Sequence, residues 1–325
     1  MRTSTIEEHL TKYLTDAHSL EEQALQQLRL APRMAGEPEL AAAFREHLVE
    51  TERHERLVRE RLEARDAKPS RFKDAAMRAG GIGFLLFART QPDTPGKLAA
   101  HAYSFEHLEI AAYELLARVA SVAGDQETAD VARRIQEDER RMADRLAGAF
   151  DRAAEASLRA LGAAALDERL VKYLADAHAL EAQAIELLEK APEIGGDPEL
   201  ERVYREHLDE SREHQRLVRE RLEARGSGPS ALKDAAMRLG ALNWGMFFQA
   251  HPDTPGKLAA FAFGFEHLEI AGYEELKRVA QRAGDEATVQ VADRILAQER
   301  AAADKIAAAF GRAADASLRS QGVAV

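Results

Sequence analysis

The chain has 325 residues, a formal net charge of -11 and no cysteine. Disulfides, thiolate zinc sites, iron–sulfur clusters and cysteine nucleophiles are therefore excluded, and the acidic balance argues against nucleic acid, whose phosphates require a basic face. Ala, Leu, Glu and Arg dominate and aromatics are only 6%, so helix is expected nearly everywhere and the fold class is all-α.

From the N-terminus, Met1-Arg2-Thr3-Ser4-Thr5 lacks the apolar core of a signal peptide. No later run reaches the ~18 apolar residues of a membrane span, so a cytoplasmic chain with no membrane partner is expected. Lys12-Tyr13-Leu14 returns as Lys172-Tyr173-Leu174, and Asp93-Thr94-Pro95-Gly96-Lys97 as Asp253-Thr254-Pro255-Gly256-Lys257, always at an offset of 160 residues. Roughly six positions in ten agree over the repeat, which reads as a tandem duplication: domains 1–162 and 163–325, joined near residues 161–167.

Punctuation marks four long helices per copy. The first is predicted over about residues 5–30, ending at Pro32 and Gly36. The second opens at Glu37-Pro38, an acidic cap with proline at the first helical position, and continues to about Arg65. The third opens at Thr94-Pro95 and stops at Gly124; the fourth starts at the N-cap Asp125 and runs to about Leu161. Short links make helices 1–2 and 3–4 antiparallel hairpins, while the link from Asp66 to Asp93 is long enough to return along the bundle. Two tandem ferritin-like four-helix bundles, each with a long helix 2 to helix 3 crossover, are expected. The apolar parts of the crossovers, at 80–87 and 240–248, are too short to span a bilayer and are expected to pack along the bundle or between the domains.

Phe105-Glu106-His107-Leu108-Glu109-Ile110-Ala111 recurs unchanged from Phe265 to Ala271. Glu106 and Glu109 share a helix face with apolar residues, and burying two carboxylates requires a partner charge. Each of the other helices offers a candidate on its inner stripe: Glu21 on the first, Glu50 and His54 on the second, Glu139 on the fourth. Their counterparts are Glu181, Glu210, His214 and Glu299, beside Glu266 and Glu269. Five carboxylates and one imidazole per domain would nearly be neutralised by two divalent cations, and hard oxygen donors with one nitrogen suit iron or manganese, four ions per chain. Glu50 and Glu139 are the expected bridging ligands, with positions left open for water, dioxygen or peroxide.

Other polar residues have plainer readings. His107 is turned about 100° away from its neighbouring glutamates and is expected to make a surface or inter-helix hydrogen bond. His47 and His18 read as core or ligand-supporting histidines, and Tyr113 as a core aromatic whose hydroxyl finds a carboxylate. Asp144 points to solvent or a neighbouring helix. Glu52 and Arg53 exchange sign between the copies, as solvated positions can, and Glu137 and Asp138 become Ala297 and Gln298 while Glu139 stays glutamate; Glu55 with Arg59, Lys12, Asp16 and the arginines from Arg56 to Arg65 read as solvated faces.

Together Ala17-His18-Ser19-Leu20-Glu21-Glu22-Gln23, the stretch from Phe44 to Thr51 and the Phe105–Ala111 motif make each copy resemble the YciF-like stress proteins of the ferritin-like superfamily. The resemblance implies a di-metal bundle, a role in bacterial stress responses and homodimers, of which this chain would be a fused pseudo-dimer. Met142 and Ala302 stand where ferritin-like di-iron enzymes carry a second Glu-x-x-His histidine, and the paired glutamates of helix 3 are similar to the rubrerythrin pattern. The expected function is oxidation of Fe²⁺ with, or detoxification of, dioxygen or peroxide; a stress-induced bundle with structural metal or none, and a manganese catalase, are the alternatives.

Overall fold

The computed structural model describes residues 5–70, 73–74, 94–159, 161–230 and 254–325. They are all-helical and divide into two compact units, Met1–Ser157 with Leu318–Val325 and Leu158–Ser317, called domains 1 and 2 below. Most of each crossover, including the apolar stretches at 80–87 and 240–248, lies outside the described residues. No helix among those described is long and apolar enough to cross a membrane.

In domain 1, α1 (Ile6–Met34) opens with a capping box: Thr5 Oγ1 accepts from Glu8 N at 3.3 Å and Glu8 Oε2 from Thr5 N at 2.9 Å. It runs through Pro32 instead of stopping there. The missing N–H forfeits one backbone bond in the last turn, and burial of Ala31 and Ala35 holds that turn in place. Gly36 then takes a φ of 63°, and a Cβ on it would lie 2.6 Å from Pro95 Cγ, so the tight turn and the close approach both select glycine.

Glu37 caps α2 (Pro38–Glu63), its carboxylate accepting from Glu39 N and Leu40 N at 3.0 and 2.7 Å. Because the turn before α2 touches Pro95, α2 and α3 (Thr94–Val122) start at the same end of the bundle and run parallel. At the opposite end Arg65 binds both Glu7, at the start of α1, and Asp125, which caps α4 (Gln126–Ala147). The end of α2 and the start of α3 therefore lie at opposite ends of the bundle. Arg61 and Arg65, expected in solvent, have side chains only 14% and 15% exposed and converge on Asp125. That carboxylate must also satisfy the amide and hydroxyl of Thr128, so two cations are drawn onto a half-buried acid.

The fourth helix differs from the single rod expected. α4 ends at Ala147, and a separate α5 (Phe150–Leu158) follows. The break turns Phe150 inward to an edge-on contact with Tyr103 (centroids 5.2 Å apart) and lets Ser157 Oγ accept from Gly96 N at 3.0 Å, satisfying an orphan amide of α3. Packing rather than glycine causes it. Domain 2 breaks at the same place, at Ala309, with Phe310 against Phe263 at 5.2 Å and Ser317 Oγ accepting from Gly256 N at 2.8 Å.

The second repeat follows the same plan as α6 (Ala163–Ile194, again continuing through its proline, Pro192), α7 (Pro198–Ala224), α8 (Thr254–Ala283), α9 (Glu286–Ala308) and α10 (Phe310–Ser320). In each domain the first helix packs on the second and third, and the fourth on the second and third, which makes a square bundle. Its floor and ceiling are apolar: Leu10, Leu14, Val58 and Leu62 lie toward one end, Leu40, Phe44 and Leu98 toward the other, each burial contributing about 1.5–3 kcal/mol. Between these layers the core is polar.

Candidate metal centre

The polar layer is built by helix periodicity. The buried stripe of α2 includes Leu40, Phe44, His47, Thr51, His54, Val58 and Leu62, in steps of four or three, so two imidazoles occupy positions that would otherwise hold leucines. The stripes of α1, α3 and α4 contribute Glu21, Glu106 with Glu109, and Glu139, all buried.

In domain 1, His54 Nδ1 lies 2.9 Å from Glu139 Oε1 and 3.9 Å from Glu21 Oε2, while His47 Nε2 lies 3.2 Å from both Glu106 Oε2 and Glu139 Oε2. Two three-residue nests result, Glu21–His54–Glu139 and His47–Glu106–Glu139, each with ligand atoms mutually within 4.8 Å, and they share Glu139. Domain 2 forms Glu181–His214–Glu299 and His207–Glu266–Glu269–Glu299, sharing Glu299. His207 Nε2 is 2.8 Å from Glu266 Oε2 and 3.4 Å from Glu299 Oε2; His214 Nδ1 is 2.8 Å from Glu299 Oε1 and 3.5 Å from Glu181 Oε1. Each nest combines one imidazole nitrogen with carboxylate oxygens, a donor set suited to a hard or borderline divalent cation.

A family profile described as Domain of unknown function (DUF892) matches residues 5–159 and again residues 165–318. The chain belongs to the DUF892 family. No solved structure matches it.

Within each DUF892 repeat, three inner ligands are anchored from outside. Tyr113 Oη donates to Glu21 Oε1, leaving Oε2 facing the cluster. His47 Nδ1 bonds Glu50 at 3.0 Å, so Nε2 faces inward. His54 Nε2 bonds Asp138 at 3.0 Å, so Nδ1 does. In domain 2 the corresponding bonds are Tyr273 to Glu181 (2.5 Å), His207 to Glu210 (3.2 Å) and His214 to Gln298 (3.2 Å). Supports of this kind fix tautomer and ring orientation around metal sites.

The structure brings together Glu21, His54, Glu106, Glu109 and Glu139, and likewise Glu181, His214, Glu266, Glu269 and Glu299. Glu109 is buried in the same layer without belonging to either domain 1 nest. Glu50 and Glu210 are not brought in. Their side chains are 27% and 28% exposed, outside the nests, and His47 and His207 hold the inner positions instead. The physical reason is azimuth: His47 falls on the stripe running from Phe44 to Thr51, and Glu50 stands one residue off it.

Asp138, passed over as a candidate because it becomes Gln298, is buried and supports His54 through Oδ2, an oxygen shared with Arg53, while Arg141 holds Oδ1. Glu55 is also buried: it pairs with Arg59, and its second oxygen accepts from His18 Nε2 at 3.0 Å while His18 Nδ1 bonds Asp74 at 3.2 Å. His18, Glu22 and Glu55 cluster in domain 1 alone, since domain 2 has Ala182 and Gln215 at the corresponding places. Asp16 is held by Lys73 at 2.6 Å, and Asp144 is exposed. His107 bonds within its own helix, Nδ1 donating to Tyr103 O at 2.7 Å.

Burial pushes Glu21 up to about 8, aided by Glu139 and opposed by His54, and pushes Glu106 up to about 7. Burial also drives Glu109 and Glu269 far above the ordinary carboxylate range, with Glu139 and Glu299 adding to it. Burial alone would lower His47 and His54, but the surrounding carboxylates overcome it, holding His47 well above its usual value and His54 at about 9. Glu21, Glu106, Glu109 and both imidazoles are thus driven to hold protons, while burial of Glu139 is overcome by His47 and His54, which hold its carboxyl well below the ordinary range. Glu21 Oε2, His47 Nε2, His54 Nδ1, Glu106 Oε2, Glu109 Oε1 and both oxygens of Glu139 are buried without a hydrogen bond, although several approach one another within 3.2 Å. These nitrogens and oxygens converge on the centre of the layer, as ligands around a cation do, and the residues fit divalent metal.

Proposed function

We propose that this protein is a ferritin-like carboxylate protein holding two iron or manganese ions per domain, four per chain, and that it oxidises Fe²⁺ with, or removes, dioxygen or peroxide in a stress response. The observation that carries this reading is the pair of nests sharing one carboxylate, Glu139 or Glu299, in a layer whose inner atoms have no hydrogen-bond partners. The four glutamates of the layer in each domain carry four negative charges when ionised, which two divalent cations balance with both histidines neutral. The likeness to YciF-like stress proteins supports the same role.

Glu139 would be the shared ligand, with Glu21 and His54 on one side and His47 and Glu106 on the other. When bound, the metals would supply the electron transfer that dioxygen or peroxide requires. The chain's own residues orient ligands and exclude bulk water: Tyr113 holds one oxygen of Glu21, and the apolar layers above and below close the site.

Elemental analysis of protein purified without chelators, followed by anaerobic Fe²⁺ titration, tests the reading. About four metal ions per chain are expected, falling to about two in Glu139→Ala with Glu299 intact. A wild-type chain that neither carries nor binds iron or manganese overturns it. Metal uptake with no consumption of dioxygen or peroxide would leave the metal a structural part.

A further inference from the structure

Beside Glu106 in domain 1, and beside Glu266 in domain 2, lies a cavity of about 20 Å³. The ten residues lining one correspond, at the 160-residue offset, to the ten lining the other. Both cavities are framed by the first three helices of their domain, at the apolar end of the metal layer. About 10–15 Å³ suffices for one water, so each has room for one molecule of one or two heavy atoms.

Seven of the ten positions carry the same residue in both domains; the other three pair Gln27 with Leu187, Phe44 with Tyr204 and His101 with Phe261. Gln27 is 8% exposed and its Nε2 has no hydrogen-bond partner; Tyr204 is fully buried and its Oη has none. The first two substitutions are reciprocal, and the third gives domain 1 an imidazole, His101, where domain 2 has Phe261. Where domain 1 has the amide on its first helix it has phenylalanine on its second, and where domain 2 has leucine on its first helix it has the phenol on its second. Each cavity is thus lined by a residue with a buried, unpartnered donor as well as by the metal-layer carboxylate, and the donor comes from a different helix in each domain. A buried donor left without an acceptor is costly, and that cost is removed when an acceptor occupies the cavity.

We propose that this cavity is the seat of one small hydrogen-bond-accepting molecule at the metal pair, a water- or peroxide-sized oxygen species, held by Gln27 in domain 1 and by Tyr204 in domain 2. The two centres would then present their ligand with different donors from different sides, and so work as inequivalent sites within one chain. The inference rests on the proposed metal layer for the ligand's role, and on the cavity and its donors for the seat itself.

A high-resolution crystal structure of the metal-free full chain tests the seat independently of metal. One ordered water bonded to Tyr204 Oη, and one bonded to Gln27 Nε2, are expected; Tyr204→Phe should lose the first and keep the second. Phe is the residue domain 1 already carries there, so folding is not at risk. Both cavities without density overturn the proposal. For the ligand's role, nitric oxide serves as a two-atom acceptor on chain loaded with Fe²⁺ and with domain 1 silenced by Glu139→Ala. Tyr204→Phe should weaken nitric oxide binding about tenfold by electron paramagnetic resonance, and Leu187→Gln in that background should recover it. Unchanged affinity with two irons still bound overturns the proposal and leaves the metal reading standing. A chain that binds no iron defeats the metal reading, and the seat is then decided by the crystals alone.

Discussion

His54 and His214 occupy the same turn of the same helix, yet their outer nitrogens meet different partners. In domain 1 the partner is the carboxylate of Asp138, held in turn by Arg53 and Arg141; in domain 2 it is the amide of Gln298. The exchange is coordinated. Where Asp138 becomes Gln298, Arg53 becomes Glu213, which would repel a carboxylate at that place and pairs with Arg216 instead. Together with Arg141, which becomes Ala301, three neighbouring changes thus convert an anionic support into a neutral one without leaving a buried charge unpaired. Without a cation the inner carboxylates dominate the imidazoles: His214, nearer to Glu181, is pushed up to about 10 against about 9 for His54. With a cation bound the outer partner matters more, because an anionic acceptor stabilises charge drawn onto the ring. The two domains therefore share an inner ligand set and differ in what steadies it.

The largest effect that would break this comparison is on metal affinity. Asp138→Asn should weaken metal binding in domain 1 by about 10–100-fold and leave domain 2 unchanged, measured by competition with a chelator. The converse, Gln298→Asp with Glu213→Arg, should bring domain 2 toward domain 1. Equal affinities in the parent chain, unmoved by either change, would reduce the difference to surface drift.

Where the domains agree, they should fail alike. Asp285 caps α9 and binds Arg221 and Arg225, as Asp125 does with Arg61 and Arg65. Burial would raise the Asp285 carboxyl, but bonds to Thr288 and the two arginines hold it at about 2, below its ordinary 3.8. A depressed acid contributes stability that is complete above its unfolded pKa and is lost as pH falls through the folded one, here between about pH 4 and pH 2. Asp285→Ala should cost domain 2 roughly 2 kcal/mol at pH 7 and flatten its acid dependence in that window, followed by circular dichroism. The smallest expected effect is at the tertiary cap: Ser157→Ala and Ser317→Ala should each cost about 1 kcal/mol in urea unfolding, because each strands an amide of the third helix. Loss in one domain only would show that the caps are not equivalent.

Much of this was legible in the residues. The 160-residue offset announced two domains, the Glu37-Pro38 and Gly124-Asp125 punctuation placed helix starts, and the inward stripes picked out Glu21, His54, Glu106, Glu109 and Glu139. The readings that fell short share one cause. Comparing copies discounted Asp138 because it changes to Gln298, although the change preserves a hydrogen bond to the same histidine. The heptad-like stripe through Phe44, Thr51 and Val58 passes through His47 and could have placed it inside, with Glu50 as its support.

The sequence by itself determined the duplication, the helical class, the turns and a core in which acids and histidines replace leucines. Those features depend on local propensity and on a 3.6-residue period that any window of the chain displays. Only the tertiary structure decided that His47 rather than Glu50 faces the cluster, that Arg61 and Arg65 close on Asp125, and that the fourth helix breaks to cap the third. Each of those depends on how far a helix is rotated about its own axis and on what lies across from it. Period fixes spacing along a face; the packing of the other helices fixes where that face points.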